Sequence, residues 1–351
     1  MTSFTSSALS IIVAILGLGF LMVVHEGGHF LVARHFRMRV KTFSIGFGPA
    51  IWKRQPKGSP TTYQIAIIPF LAYVQIAGMN PLEENDPNDK ASYANASLHA
   101  RILTIFAGPL ANYLVASLLF FAAFVIGGRI ELTTQVKVMP GEPAAEAGMV
   151  DGDKIVEVAG EPIKDWERVR ELISKRASQS VEVVVQRGDQ RVPMRLTPRP
   201  EGKDGHGRIG VQAQTITVPV PVGQAAILAV EKPPQIVAGL VVGLARIFRG
   251  QEKAELSGPV GITKEIARAL KSSFADYLHI LGALSAYLAG FNLLPVPALD
   301  GGRLMFLGYE LTTRKRPNAK IEAYVHAVGL AMLLALLAVV TVFSDFQRPG
   351  P

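Results

Sequence analysis

Long uncharged runs alternate along this chain with stretches too polar to lie in the same environment. Four runs stand out: Ala8–Val24, which continues through the residues after it, then Ile102–Gly128, Tyr277–Leu299 and Tyr324–Phe343. Each is close to the roughly 20 residues that a helix needs to cross hydrocarbon. A fifth run, Gln235–Ala245, is too short by that measure. Pro233 and Pro234 precede it and Arg246 and Arg249 follow, so it reads as an interfacial or packed helix.

Between the second and third runs the pattern changes. Val136–Met139 alternates toward a turn at Pro140-Gly141, and Glu142–Met149 reads as a short helix ending at Gly148. Lys154–Val158 is strand-like, and Asp165–Arg176 sets Trp166, Val169, Leu172 and Ile173 on one helical face. Ser180–Arg187 and Arg191–Leu196 flank Gly188-Asp189 as a hairpin. These elements make a small α+β domain with enough apolar positions for its own core.

The expected architecture is a polytopic α-helical membrane protein of about four transmembrane helices, with a membrane-associated β element and one inserted α+β domain. Residues 1–128 form a membrane core of two spans with a cytoplasmic β-hairpin loop, and 129–223 form the inserted domain. Residues 224–275 are an amphipathic or interfacial linker, and 276–351 carry two more spans. The first run is not read as a cleaved leader, because it lacks a basic n-region and a small-residue cleavage site.

Composition agrees: 49% of the 351 residues are hydrophobic, and the mean hydropathy of +0.29 is high for a soluble protein. The net charge of +8 could suggest nucleic acid, but its distribution excludes that reading. Arg34, Arg37, Arg39, Lys41, Lys53, Arg54 and Lys57 follow the first run, and Arg314, Lys315, Arg316 and Lys320 separate the third from the fourth. By the positive-inside rule both clusters are cytoplasmic, and the termini and inserted domain lie outside. With no cysteine, disulfides and thiolate metal sites are excluded.

The first run ends in chemistry. Val24-His25-Glu26-Gly27-Gly28-His29-Phe30 sets two histidines four residues apart on one helical face, so both imidazoles can reach one ion. Glu26 lies beside them, placed to take a proton from an attacking water. Ionisable groups inside a span are costly and mark functional sites. The pattern does not extend to a third histidine: His35 has the spacing, but Val32 stands where a tight-turn glycine would be needed. A zinc hydrolase needs a third protein ligand and an open position. Asp300, before Gly301 and Gly302, is by itself an ordinary turn residue. If the first and third spans run in the same direction, however, it reaches the depth of the histidines.

Several motifs carry a family resemblance. Pro140–Val169 resembles a bacterial PDZ domain. The His25–Phe30 run, Phe43–Pro49, Gly108–Asn112, Ser257–Ile262 and Asn292–Gly302, in that order, resemble the site-2 protease family of intramembrane zinc metalloproteases, of the bacterial regulator-of-sigma-E type. The resemblance implies one Zn2+ held by His25, His29 and Asp300, with Glu26 as general base. It links Asn292 to the site as an oxyanion donor, with a helix–helix hydrogen bond as the alternative. Asn112 reads as a packing or substrate contact. A membrane-dipping β element, with Gly46, Phe47 and Gly48 as substrate-binding or oxyanion candidates, would hold an unwound substrate as an added strand. Tyr287 stands where relatives often carry a further Asn.

In the PDZ-like domain, Gly207, Ile209 and Gly210 are candidates for a loop that captures peptide C-terminal carboxylates; the alternative is a steric filter. The resemblance implies a multi-pass protein of the bacterial inner membrane, with its active site toward the cytoplasmic side. Its partners would be the lipid bilayer and single-span substrates, such as anti-sigma factors or remnant signal peptides, and no nucleic acid. Other readings are a catalytically silent PDZ-bearing scaffold and a metal transporter.

Overall fold

The computed structural model describes residues 2–84, 86–202, 205–251 and 258–345. In chain order the elements are α1 (Thr2–His35), β1 (Val40–Arg54), β2 (Thr62–Ile76), α2 (Leu98–Gly127), β3 (Arg129–Val138), α3 (Pro143–Glu146), β4 (Lys154–Val158), β5 (Glu161–Pro162), α4 (Trp166–Ser174), β6 (Val181–Arg187), β7 (Gln190–Leu196), β8 (Arg199–Glu201), β9 (His206–Arg208), β10 (Val211–Val218), α5 (Val222–Phe248), α6 (Pro259–Ser272), α7 (Phe274–Leu293), α8 (Asp300–Thr313) and α9 (Ala319–Val340). Ser257, the first residue of the Ser257–Ile262 motif, lies outside the described residues. Two compact units result: residues 1–127 with 221–351, and residues 128–220.

The first unit is built around α2, which packs against α1, α5, α7 and α8. Small residues set the approach. A Cβ at Gly17 on α1 would lie 2.8 Å from the Tyr277 hydroxyl, and one at Gly282 on α7 would meet the Phe120 ring at 3.3 Å. Near one end of α2 a Cβ at Gly127 would meet Ala275, and farther along the Ser285 hydroxyl donates to the Asn112 carbonyl at 2.7 Å. The pairings 127 with 275, 120 with 282 and 112 with 285 make α2 and α7 antiparallel. On α1, Gly17 lies beside α7 residues 277 and 281, while Gly28 reaches Ala107. Helices α1 and α7 therefore run in the same sense, as placing Asp300 level with the histidines requires.

Two expectations about these helices need correction. The apolar run at Gln235–Ala245 is the end of a longer helix, Val222–Phe248, with Pro233 and Pro234 inside it. Ala225, Ala229 and Pro233 share its buried stripe, and packing against α2 and α7 holds the helix together where proline removes hydrogen bonds. Among the described residues, five helices rather than four are thus long and apolar enough to cross a membrane. The third run also stops early. Helix α7 ends at Leu293, since Pro295 disfavours helical backbone at Leu294 (ψ 144°). Asp300 consequently begins a separate helix instead of closing a span.

Strands β1 and β2 fold back on each other. Residues 42–45 pair with 62–65 on one side and 72–75 on the other, while 50–54 pair with 63–66. Gly46 and Gly48, both at φ +92°, make the bend, and a Cβ at Gly46 would meet the Ala66 carbonyl oxygen at 2.6 Å.

In the second unit the strand order is β10-β3-β4-β6-β7, with β5 beside β4 and a separate β8–β9 hairpin. The sheet and α4 enclose Val136, Ile155, Val158, Val169, Val183 and Val185, all essentially inaccessible. Asp165 caps α4 by accepting from the Arg168 amide at 2.9 Å. Buried Asp153 accepts from Arg187 at 2.8 Å through both carboxylate oxygens, and this guanidinium holds its carboxyl below the usual range.

Candidate metal and catalytic site

The site rests on how closely two helices approach. Gly28 on α1 faces α2, where a Cβ would lie 2.2 Å from the Ala107 carbonyl oxygen. At Gly108 on α2 a Cβ would fall 2.3 Å from His29 Nε2 and 3.0 Å from His25 Cε1. Gly27, between the two histidines, has open space around it. The expected result is that Gly108→Ala loses metal while Gly27→Ala keeps it. Metal content of the two purified variants checks this, and a Gly108→Ala protein with full metal would contradict the packing described.

The imidazoles are oriented from behind. His29 Nδ1 lies 2.8 Å from the Thr104 carbonyl oxygen, which can only accept, so Nδ1 carries the proton and Nε2 offers its lone pair. His25 Nδ1 lies 3.4 Å from the amide nitrogen of fully buried Asn112, whose Oδ1 has no partner. A half-turn of that amide would put Oδ1 against His25 Nδ1–H and satisfy both groups. His25 then also offers Nε2.

Those lone pairs converge with a carboxylate. His25 Nε2 and His29 Nε2 are 3.2 Å apart, and Asp300 Oδ2 lies 3.1 Å from the first and 3.3 Å from the second. Since each of the three then presents a lone pair, these approaches are not hydrogen bonds, and buried Asp300 Oδ2 has no proton donor. Three acceptors facing one another need a cation between them. Tetrahedral zinc with bonds of about 2.0–2.1 Å separates its ligands by about 3.3–3.4 Å, so the donor set fits that ion. Among the described residues this is the one cluster of three such groups close enough to hold a metal.

Helix α8 brings Asp300 there. A Cβ at Gly301 would meet the Leu294 carbonyl oxygen at 2.1 Å, and one at Gly302 the Val296 carbonyl oxygen at 2.5 Å, so the first turn rests on the preceding loop. Farther along, Glu310 accepts from Arg101 Nη1 at 2.9 Å and Nη2 at 2.5 Å, tying α8 to the start of α2.

Glu26 lies within electrostatic reach of both histidines and Asp300. Its Oε2 accepts from the Val74 amide of β2 at 2.9 Å, leaving Oε1 for other work. Val74 carries no signal in the sequence, because an amide contact does not depend on side-chain identity. Of Gly46, Phe47 and Gly48, Phe47 packs its ring edge-on against Tyr73, which precedes Val74, while the two glycines lie beside Ala66, Ile67 and Ile68 of β2. Asn292 donates to the Leu288 carbonyl of its own helix at 3.0 Å. Tyr287 is exposed. Gly207, Ile209 and Gly210 line a cavity of about 580 Å³ with Trp166, Arg170 and Arg208. Ile209 itself is buried in the core of its unit.

Comparison with known proteins fits this geometry. The model of peptidase family M50 matches residues 13–336. A Rickettsia conorii protein named as a candidate zinc metalloprotease is 30% identical over 356 residues, covering 97% of this chain and 99% of the relative. A similarly named protein of Mesorhizobium japonicum is 32% identical over 344 residues, covering 90% and 93% respectively. One from Clostridium acetobutylicum is 28% identical over 337 residues, covering 96% and 97%.

Proposed function

We propose, because the chain belongs to peptidase family M50, that it is an intramembrane zinc metalloprotease of the site-2 type. Its substrates are single-span membrane proteins, cut within or near their transmembrane segments in regulated intramembrane proteolysis. The observation that carries this reading is the triangle of His25, His29 and Asp300 with Glu26 beside it, set among helices apolar enough to span a bilayer.

His25, His29 and Asp300 would hold the ion, themselves kept in place by Asn112, Thr104 and the α8 contacts. Zinc bound there supplies the Lewis acidity that makes water a competent nucleophile near neutral pH. Glu26 receives the proton of the attacking water at Oε1 and returns it to the leaving nitrogen. A helical substrate hides its carbonyls in its own hydrogen bonds and must unwind to be cut. The β1–β2 element offers strand edges for the unwound segment, and the Val74 amide fixes Glu26 relative to that element. The unit at 128–220 is read as a PDZ-like domain that admits or binds substrate termini, its cavity beside α4 being the candidate groove.

For orientation, the basic loops are placed in the cytoplasm and the 128–220 unit outside, in a bacterial inner membrane. Since α1 and α7 run in one sense, the chain must return to the outer side before Phe274. The 14 residues of α6 are too few to make that return. Helix α5 therefore packs into the bundle without completing a passage, and both termini lie outside. The chain has no native cysteine, so single labels at Ser59, Ser178 and Thr313 carry no background. In intact cells an impermeant thiol reagent should reach only position 178; strong labelling at 59 or 313 would overturn the orientation.

The substrate class is tested by mass spectrometry of membrane proteins in cells whose only copy carries Glu26→Gln. Single-span proteins should accumulate uncut. Accumulation confined to soluble proteins would refute the reading.

A further inference from the structure

Helix α9 has an unusual attachment. Gly329 is its one buried residue among those described, although the helix runs from Ala319 to Val340. A Cβ at Gly329 would lie 2.4 Å from Pro297 Cβ and 2.8 Å from the Pro297 carbonyl oxygen. The backbone of α9 thus rests against the short loop that ends in Asp300.

One turn earlier on α9, His326 makes a polar contact with that loop. Its Nδ1 accepts from the Ala298 amide at 2.9 Å. An amide proton facing Nδ1 fixes the neutral tautomer with its hydrogen on Nε2. The ring also packs against Phe306 of α8, with centroids 5.6 Å apart. A helix that barely packs elsewhere therefore places one imidazole between the loop and α8.

The loop needs such a partner. Ala298 has φ +73°, a left-handed conformation that a non-glycine residue adopts only at a cost in strain. Its amide finds no backbone acceptor among the described residues. The other loop bonds are local: the Val296 amide donates to Leu294 at 2.7 Å and the Leu299 amide to Val296 at 3.2 Å. Nothing in that set ties Ala298 to the rest of the bundle except His326. Two residues later Asp300 must put Oδ2 within 3.1 and 3.3 Å of the two imidazoles. A shift of the Ala298 peptide moves that carboxylate off the triangle.

We infer that His326 is a positioning residue for the metal site, its Nδ1 holding the Ala298 amide so that Asp300 completes the zinc triad. The inference rests on Asp300 being a ligand, so both are measured together. Zinc affinity of the full chain in detergent is determined by competition with a chelating dye, and the site's geometry is followed by the visible spectrum of the cobalt-substituted protein. His326→Leu removes the acceptor and should weaken zinc by roughly 10–100-fold, the usual cost of losing an outer partner of a metal site, and shift the cobalt spectrum. His326→Asn can present Oδ1 where Nδ1 stood and should stay within about threefold of the native affinity. Leu330→Ala, at an exposed position on the same helix, is a control expected to match the native protein.

If His326→Leu binds zinc as tightly as the native chain with an unchanged cobalt spectrum, while Asp300→Asn loses it, the positioning role is wrong and the ligand assignment survives. If His326→Asn is as damaged as His326→Leu, the acceptor account is wrong. If Asp300→Asn also keeps full affinity, the ligand assignment falls, and the inference with it.

Discussion

Replacing Glu26 with Gln should abolish cleavage while leaving zinc bound. The amide has almost the size of the carboxylate and can still accept from the Val74 amide, so the contact between α1 and β2 survives. Glu26 is not one of the three groups that meet at 3.1–3.3 Å, so the ion keeps its ligands. What is lost is a base able to hold the proton removed from water, a contribution typically worth about 10²–10⁴-fold in rate. Proteolysis and metal content measured on one preparation decide it. Native turnover in the variant would remove Glu26 from the mechanism, and loss of zinc would make it a ligand.

Replacing Asp300 with Asn should lower zinc occupancy itself, taking activity with it. An amide oxygen keeps the shape but carries no full charge, and a neutral oxygen is a poorer ligand than a carboxylate. Because Asp300 lies in the triangle, the loss of affinity should exceed the roughly 10–100-fold typical of outer partners. The variant should otherwise remain intact, since α8 is also held by Arg101 and Glu310 at its far end. Unchanged zinc stoichiometry and affinity would take Asp300 out of the site.

These two residues differ in how openly the sequence announces them. His25, Glu26 and His29 are legible because helical periodicity alone brings them together. Asp300 becomes a candidate only once the spans are counted and given directions, and the side-by-side sense of α1 and α7 follows that logic. The details behind it were not legible. Pro295 ends α7 early, so Asp300 opens its own helix, and the burial of Ala225, Ala229 and Pro233 extends α5 well before the run that hydropathy picks out. No single sequence separates Gly27, which has free space, from Gly108, which lies against an imidazole. Asn292 is an oxyanion candidate by its motif, and the donation of its amide to the Leu288 carbonyl of its own helix is a contact that only the fold shows. His326 reads in sequence as a lone histidine in an apolar run, and only the fold brings it against Ala298.

The position of the cut separates an intramembrane protease from one that acts on soluble segments. Native protein, reconstituted in lipid with a purified single-span substrate, should produce new termini that mass spectrometry maps within or at the edge of the substrate's apolar segment. A zinc chelator should stop the reaction, added zinc should restore it, and the Glu26→Gln protein should yield none of these termini. Termini confined to the soluble parts of the substrate, or cleavage that persists in the Glu26→Gln protein, would contradict it.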